Sequence, residues 1–278
     1  MRRALKATIL LQLGAAAFLA AAALAAEKGP VSRDADMSVR DITAALFKAK
    51  PGQPVDLSGR NLAYLDLAGL NFKAADLRGA DLYGVDFTGA NLRGADLADT
   101  RLDRSVLIRA DLSGANLSGA TILRPTIYTD LTNNPADAPR FAGANLTGVR
   151  VHANLSGADF HAADLSGADF APLDARKREG VVSALADNKL VGCDFTRAIL
   201  RGTDLSGADL TFAHLAGADL TGARLTGANL SRADLSGADV TDADFTGADL
   251  DGATLIGVKG LETVKGLANA HNFRTTIR

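Results

Sequence analysis

The sequence is poor in cysteine and in aromatic residues. Its single thiol, Cys193, excludes an intrachain disulfide and a zinc site built from several cysteines. Tryptophan is absent, and aromatic residues make up only 5% of the chain. This argues against a conventional globular core, where aromatic side chains supply much of the buried area. The 47% hydrophobic content nevertheless argues against wholesale disorder.

Neither an excess of one charge nor a catalytic signature is present. The 30 Lys and Arg residues nearly balance 32 Asp and Glu, for a formal net charge of −2, which excludes an overall basic nucleic-acid-binding protein. The sequence contains no nucleophile elbow, HExxH motif, phosphate-binding loop or dinucleotide fingerprint. We therefore predict no enzyme activity, no cofactor and no metal centre.

The first residues are typical of a secretory signal peptide. A cationic start that includes Arg2, Arg3 and Lys6 precedes an apolar, alanine-rich run over 7–24 and a small-x-small cleavage pattern at 23–25. We expect residues 1–25 to be removed, which leaves no stable membrane anchor. An uncleaved membrane-spanning helix is the alternative. The prediction is a bacterial protein that is periplasmic or secreted, with the export route, Sec or twin-arginine, left open.

A period of five residues organises the rest of the chain. Large apolar residues recur at every fifth position, as in Leu77, Leu82 and Phe87. A small residue, usually Ala, stands two before each centre, Asp or Asn one before, and Ser or Thr and then Gly follow. A period of five fits neither a helix nor an isolated strand. It fits a chain that turns a corner after every unit, with four sides to a coil and coils stacked about 4.8 Å apart.

The repeat resembles the pentapeptide-repeat family. The family signature A-[DN]-L-x-x recurs as residues 80–84 (ADLYG) and 208–212 (ADLTF), and the resemblance covers about residues 55–257. It implies an all-β solenoid, the right-handed quadrilateral β-helix of pentapeptide repeats. It implies little about activity, because the repeats themselves are structural.

The pattern also predicts the domain organisation. Residues 26–54 form an N-terminal segment with a capping helix, for which Ser38 is a plausible N-cap. Residues 55–257 form the β-helix, interrupted by insertions at 123–140 and 171–189, and one residue is missing between Val151 and Leu155. Residues 258–278 are a C-terminal cap or tail, which either covers the last coil or packs against a second copy, as in a homodimer.

Several residues are candidates for chemistry or charge pairing. Asp194, His214 and Asp234 are 20 residues apart and should stack, as a structural charge column or, alternatively, as a metal- or proton-binding spot. A second column holds Asp56, Asp76 and Asp96 and ends at Asn116, for which Ca²⁺ binding is the alternative to a solvated face. Cys193 occupies an inward position normally held by Ala, so a buried, unreactive thiol is expected.

Outward-facing aromatic, apolar and basic residues form a candidate interaction surface, because Tyr and Arg are enriched at protein interfaces. Scattered surface residues without a function are the alternative. The candidate surface comprises Tyr64, Tyr83, Arg101, Arg104, Val106, Ile108, Arg109 and Arg124, with Arg176, Lys177 and Arg178 in the second insertion.

These observations predict an exported, non-enzymatic scaffold that binds another protein. One alternative is a DNA-mimicking protein that shields topoisomerases, as some family members do, which would require that the chain is not exported. The other is a cation-binding surface protein. Partner identity and oligomeric state are not encoded in the repeat pattern.

Overall fold

A computed structural model describes residues 34–50, 52–72, 74–129, 134–172 and 188–277. The predicted signal peptide, the basic run at 176–178 and most of the second predicted insertion lie outside these residues. The described part is a solenoid in which each coil pairs with the next through short parallel β-bridges. Where the repeat is uninterrupted, bridged residues are 20 positions apart, as in Asp56 with Asp76, so one coil holds four five-residue units.

The outward residue before each centre forms the bridges, and the bridges fall into four columns. We number these columns 1 to 4 by their first members, which are Asp56, Asn61, Asp66 and Asn71. The corner that follows the centre residue of a column takes the same number. Adjacent coils are one β-ladder spacing apart, as the 4.9 Å between the stacked rings of Phe141 and Phe160 illustrates.

Backbone hydrogen bonding explains the residue preferences within a unit. In the unit 76–80, the Asp76 N–H donates to Val55 of the preceding coil (2.9 Å) and the Leu77 N–H to Asp96 of the next (2.7 Å). The Arg78 N–H donates to the carboxylate of Asp76 at 3.1 Å. The Gly79 N–H donates to Ala98 (2.8 Å), and the Ala80 N–H closes the turn on Leu77 (3.0 Å). All five N–H groups are thus satisfied, and Asp or Asn is favoured before each centre because its side chain accepts the corner N–H.

The centres of the units fill the interior. Leu77, Leu97 and Leu117 lie in one fully buried column, and Leu210, Leu230 and Leu250 lie in another, as the spacing predicts. The small residues two positions before the centres are also buried, mostly Ala. The core is therefore a continuous apolar rod, and each coil buries its inner face against its neighbours.

The α-helix α1 spans Val39–Lys48. It begins after Ser38, whose hydroxyl accepts from the Asp41 N–H at 3.2 Å, while the Asp41 carboxylate accepts from Ser38 in return. Ile42 and Leu46 are buried and belong to the same apolar cluster as the repeat centres. No helix in the described ranges is long and apolar enough to cross a membrane.

The first interruption is shorter than the sequence predicts. The strands β1 (Thr121–Leu123) and β2 (Arg150–His152) pair in parallel, with Ile122 opposite Val151. Thr126 still bridges Val106, and Ile127 is buried, so the repeat continues four residues past Leu123. The sequence pattern hides this unit because Pro125 takes the place of the small residue. A 3-10 turn at Pro135–Asp137 precedes Arg140, which rejoins column 4 opposite Asp111.

The other two irregularities agree with the sequence arithmetic. Arg140 bridges Asp159 at a separation of 19, which reflects the missing residue, and Asn154 bridges Lys189 at 35, which reflects the 15-residue insertion. Asn188 lies where the chain rejoins the β-helix after the second insertion, and it is 1% exposed. Its amide donates to the carbonyls of Val151 and Phe170, and its side-chain oxygen accepts from the Ala153 N–H.

The paired region extends past the predicted boundary at residue 257. Lys259, Lys265, His271 and Ile277 bridge Asp239, Asp244, Asp249 and Thr254. Successive members are six residues apart rather than five, so a search for the five-residue period misses this coil. Two 3-10 turns, Leu267–Asn269 and Phe273–Thr275, lie within it. The C-terminal segment therefore covers the preceding coil.

Candidate functional site

The second residue after most centres adopts a left-handed conformation. Glycine fills most of these corners, for example Gly79 with φ of 64°. Several corners instead carry a long side chain, including Tyr64, Arg104 and Arg124, with φ between 55° and 62°. A residue with a Cβ costs about 1–2 kcal/mol in this conformation. These corners are therefore the places where the sequence departs from what the fold favours.

Aromatic and basic side chains gather at corner 2 and at the outward positions next to it. We call this group the tyrosine–arginine edge, and it comprises Tyr64, Tyr83, Arg101, Arg104 and Arg124. The rings of Tyr64 and Tyr83 meet edge to face with centroids 5.4 Å apart. The Arg101 guanidinium lies 4.6 Å from the centre of the Tyr83 ring. Tyr64 is 51% exposed. The exposed Tyr64 ring thus packs against the Tyr83 ring, which in turn makes a cation–π contact with Arg101.

The absence of a side chain at Gly84 makes room for the Tyr64 ring. A Cβ built on Gly84 would lie 2.9 Å from Cδ1 of Tyr64. Corner 2 therefore presents Tyr64, then the bare Gly84, then Arg104 and Arg124 on four consecutive coils.

The three arginines of the edge differ in how they are paired. Arg101 is 18% exposed at its side chain and contacts the carboxylates of Asp81 (3.5 Å) and Asp103 (3.4 Å). Arg104 and Arg124 are exposed, and no ion pair joins either to another described residue. Their corners are adjacent, since the Arg104 N–H donates to Leu123 in the next coil at 2.9 Å. The edge thus combines one neutralised guanidinium with two that face solvent.

The other predicted surface residues are placed differently. Val106 is half-buried in column 3. Ile108 is only 8% exposed, so its assignment to the outer surface is wrong. The physical reason is the Pro135–Asp137 turn, which lies on this corner and accepts the Arg109 N–H at 2.8 Å through Asp137. The Arg109 guanidinium lies 3.7 Å from the Asp137 carboxylate.

The predicted charge column is formed in column 4. Asp194 bridges His214, and His214 bridges Asp234. His214 is exposed and the two carboxylates are half-buried. Among the described residues, no group of three or more His, Cys, Asp or Glu side chains is arranged to hold a metal ion. The arrangement can compensate charge along the ladder.

The second predicted column is also formed, and its like charges are relieved by neighbours. Asp56, Asp76, Asp96 and Asn116 bridge in succession. Arg78 hydrogen-bonds Asp76 and lies 3.6 Å from Asp96. The Asn116 amide donates to Asp96 at 2.9 Å. Arg78 thus supplies the positive charge that the cation-binding alternative would assign to a bound ion, and Asn116 supplies a hydrogen-bond donor.

Cys193 is fully buried, and its thiol donates to the carbonyl of Leu155 at 3.0 Å. Burial raises the pKa of this thiol to about 12. A thiol that stays protonated at neutral pH is a poor nucleophile.

Sequence reasoning missed a second exposed aromatic at a left-handed corner. Phe212 is 48% exposed, and the Arg232 guanidinium lies 5.5 Å from the centre of its ring in the next coil. Both residues stand where the repeat places Gly. This substitution pattern is the signal that could have found them.

We expect acid to destabilise the fold. Hydrogen bonds from the hydroxyls of Ser58, Thr241 and Thr246 lower the pKa values of Asp56, Asp239 and Asp244 below the ordinary value of an aspartate. A lowered folded-state pKa contributes stability above the unfolded value of about 3.9, and this is lost as pH falls through the folded one. Thermal unfolding should therefore begin to shift to lower temperature below roughly pH 4. Thr241→Val, which removes one hydroxyl donor, should make the melting temperature slightly less dependent on pH. A wild-type melting temperature that stays constant down to about pH 2 would contradict the predicted acid destabilisation.

Comparison with known proteins now identifies the repeat. The family described as "Pentapeptide repeats" matches with 8 copies, over residues 55–89, 86–122, 140–171, 189–227 and 228–259. The chain belongs to the pentapeptide-repeat family. Membership supports the right-handed winding of the β-helix predicted from the sequence. No curated protein matches the chain.

Several solved pentapeptide-repeat structures are similar in sequence. HetL of Nostoc sp. strain PCC 7120, involved in heterocyst differentiation regulation, is 26% identical over 87% of this chain and 94% of its own, with a TM-score of 0.30. Full-length QnrB1, a plasmid-mediated fluoroquinolone resistance protein, is 21% identical over 77% of this chain and 95% of its own, with a TM-score of 0.33. The family assignment depends on the repeat match.

Proposed function

We propose that this pentapeptide-repeat protein is an exported, non-catalytic scaffold that binds another protein through the tyrosine–arginine edge. The observation that carries the proposal is the exposed Tyr64 ring, which packs against Tyr83 at the same corner as two arginines without an ion pair among the described residues. Rigid aromatic side chains and arginines dominate binding energy at protein interfaces. An ordered surface of this kind loses little conformational entropy on binding.

The proposal includes a four-sided coil closed at its N-terminal end. The four bridge columns support the quadrilateral cross-section. The burial of Ile42 and Leu46 in the core cluster supports α1 as the element that covers the first coil. Such a cover would shield apolar centres and backbone groups that otherwise invite aggregation. Self-association through a terminal coil stays a prediction.

Export is proposed from the sequence of residues 1–25, and the mature chain would begin near Ala26 or Glu27. The alternative, a DNA-mimicking shield for topoisomerases, needs an extended acidic face. Column 2 instead interleaves Arg101, Arg150, Arg224 and Lys265 with its carboxylates. The mixed charge of column 2 therefore favours the protein-binding scaffold.

Site-specific photo-crosslinking tests the proposal. A photoreactive benzoylphenylalanine replaces Tyr83 in the full chain, produced in its native bacterium. Thr226 is the matched control, because it holds the same position after a column 2 centre and is also half-buried. We expect position 83, and not position 226, to crosslink to a second protein in the periplasmic fraction. No crosslink at position 83, or equal crosslinking at both positions, would contradict the interaction surface.

The same cells test export. Intact-mass measurement of the periplasmic protein should give a chain that lacks the first 25 or 26 residues. A full-length mass in the cytoplasmic fraction would contradict this part of the proposal.

A further inference from the structure

Arg104 and Arg124 combine two unfavourable features that no described residue compensates. Both are held in the left-handed conformation, with φ of 57° and 55°, where the repeat most often places Gly. They also lie on adjacent coils, so two like charges share one corner at ladder spacing. Local departures of this kind are expected at functional sites, where they persist because something outside the fold uses them.

Other arginines of the described coils have a carboxylate beside them. Arg101 contacts Asp81 and Asp103, and Arg109 lies beside the buried Asp137. Arg201 pairs with Asp219 across one coil. By contrast, no carboxylate of the described chain pairs with the guanidinium groups of Arg104 and Arg124.

We propose that the pair Arg104 and Arg124 binds a carboxylate-rich segment of the partner protein, an inference that depends on the proposed scaffold function and specifies its partner. The planar guanidinium fork matches a carboxylate with two parallel hydrogen bonds. Two forks one coil apart match two acidic side chains on neighbouring turns or alternate residues of an extended segment. The exposed Tyr64, two coils from Arg104, offers an apolar contact at the end of the same edge.

Charge complementarity favours an acidic protein segment over other anions. The edge holds two solvent-facing arginines within a chain whose formal net charge is −2. A duplex or a membrane presents many charges over a wide area and is bound by extended basic surfaces. A local pair of forks beside an aromatic ring suits a short acidic segment with apolar side chains.

Fluorescence anisotropy with a labelled hexaglutamate peptide tests the proposal on the full chain at low salt. We expect binding to hexaglutamate and none to hexalysine. The double variant Arg104→Gly and Arg124→Gly should weaken hexaglutamate binding at least about tenfold, because both forks are lost. Its melting temperature should stay the same or rise, since glycine relieves the left-handed strain and the repulsion. Weaker binding with undiminished stability separates lost recognition from unfolding.

Arg197→Gly is the matched control. Arg197 is also exposed and left-handed, with φ of 58°, but the coils on either side carry Ala162 and Gly217 at this corner. The Arg197→Gly variant should gain stability in the same way as the double variant, and it should keep the hexaglutamate affinity of the wild type. Equal loss of binding in Arg197→Gly would overturn the proposal, because net charge alone would then explain it. Unchanged binding in the double variant would overturn it as well.

Two further outcomes identify a different occupant. Tighter binding to phosphatidylglycerol vesicles or to duplex DNA than to hexaglutamate, lost in the double variant, would overturn the acidic-segment assignment. If the crosslink from position 83 persists in the double variant and hexaglutamate does not bind, the scaffold function stands and this inference fails. No crosslink from position 83 contradicts the scaffold function itself.

Discussion

Replacing Leu97 with lysine is expected to cause one of the two largest losses of stability in this protein. Leu97 is fully buried between Leu77 and Leu117 of the neighbouring coils. A lysine there would place an unpaired ammonium in an apolar column, which costs roughly 4–5 kcal/mol or more. Because the coils are stabilised by their neighbours, the damage should spread to the adjacent coils.

Chemical denaturation monitored by circular dichroism measures this effect. The variant and the wild type are compared by their unfolding midpoints, because repeat arrays need not unfold in one step. Ala98→Lys is the matched control, since Ala98 lies at the half-buried corner one residue later. That variant should change stability by no more than about 0.5 kcal/mol. Equal midpoints for Leu97→Lys and the wild type would contradict the burial of this column.

Phe160→Ala should be comparably damaging, for a different reason. Phe160 is stacked between Phe141 and Phe195, with both ring centroids 4.9 Å away and interplanar angles of 5° and 6°. Removing the middle ring leaves a cavity at the centre of the rod, at a cost of about 3–5 kcal/mol. Phe160→Leu, which keeps most of the volume, should cost less than about 1.5 kcal/mol.

Phe212→Ala is the control for this pair of variants, because it removes the same side chain from an exposed corner. Its effect should be below about 1 kcal/mol, the range of an exposed cation–π contact. In thermal and chemical denaturation, Phe212→Ala and Phe160→Leu should therefore both be more stable than Phe160→Ala. Similar losses for Phe160→Ala and Phe212→Ala would show that the phenylalanine stack does not support the interior.

The residues of the candidate site divide into those that spacing could place and those that it could not. Position in the repeat was enough to place Asp194, His214 and Asp234 in one column, and the bridges confirm that placement. The same arithmetic could not reveal the burial of Ile108, which depends on where the Pro135–Asp137 turn packs. Nor could it reveal the ring geometry of Tyr64 and Tyr83, which depends on the space above Gly84.

The sequence by itself determined the solenoid and the buried columns. It also determined that one residue is missing between Val151 and Leu155 and that the second insertion is 15 residues long. It could do so because every unit repeats the same backbone hydrogen bonds, so a position along the chain converts directly into a position in a coil. Only the tertiary structure showed the six-residue spacing of the last coil, from Lys259 to Ile277, and the arginines at corner 2 that lack a partner among the described residues. These features arise from contacts between side chains and neighbouring coils that no single repeat encodes. Pairing and exposure at a corner depend on which residues stand one coil above and below it.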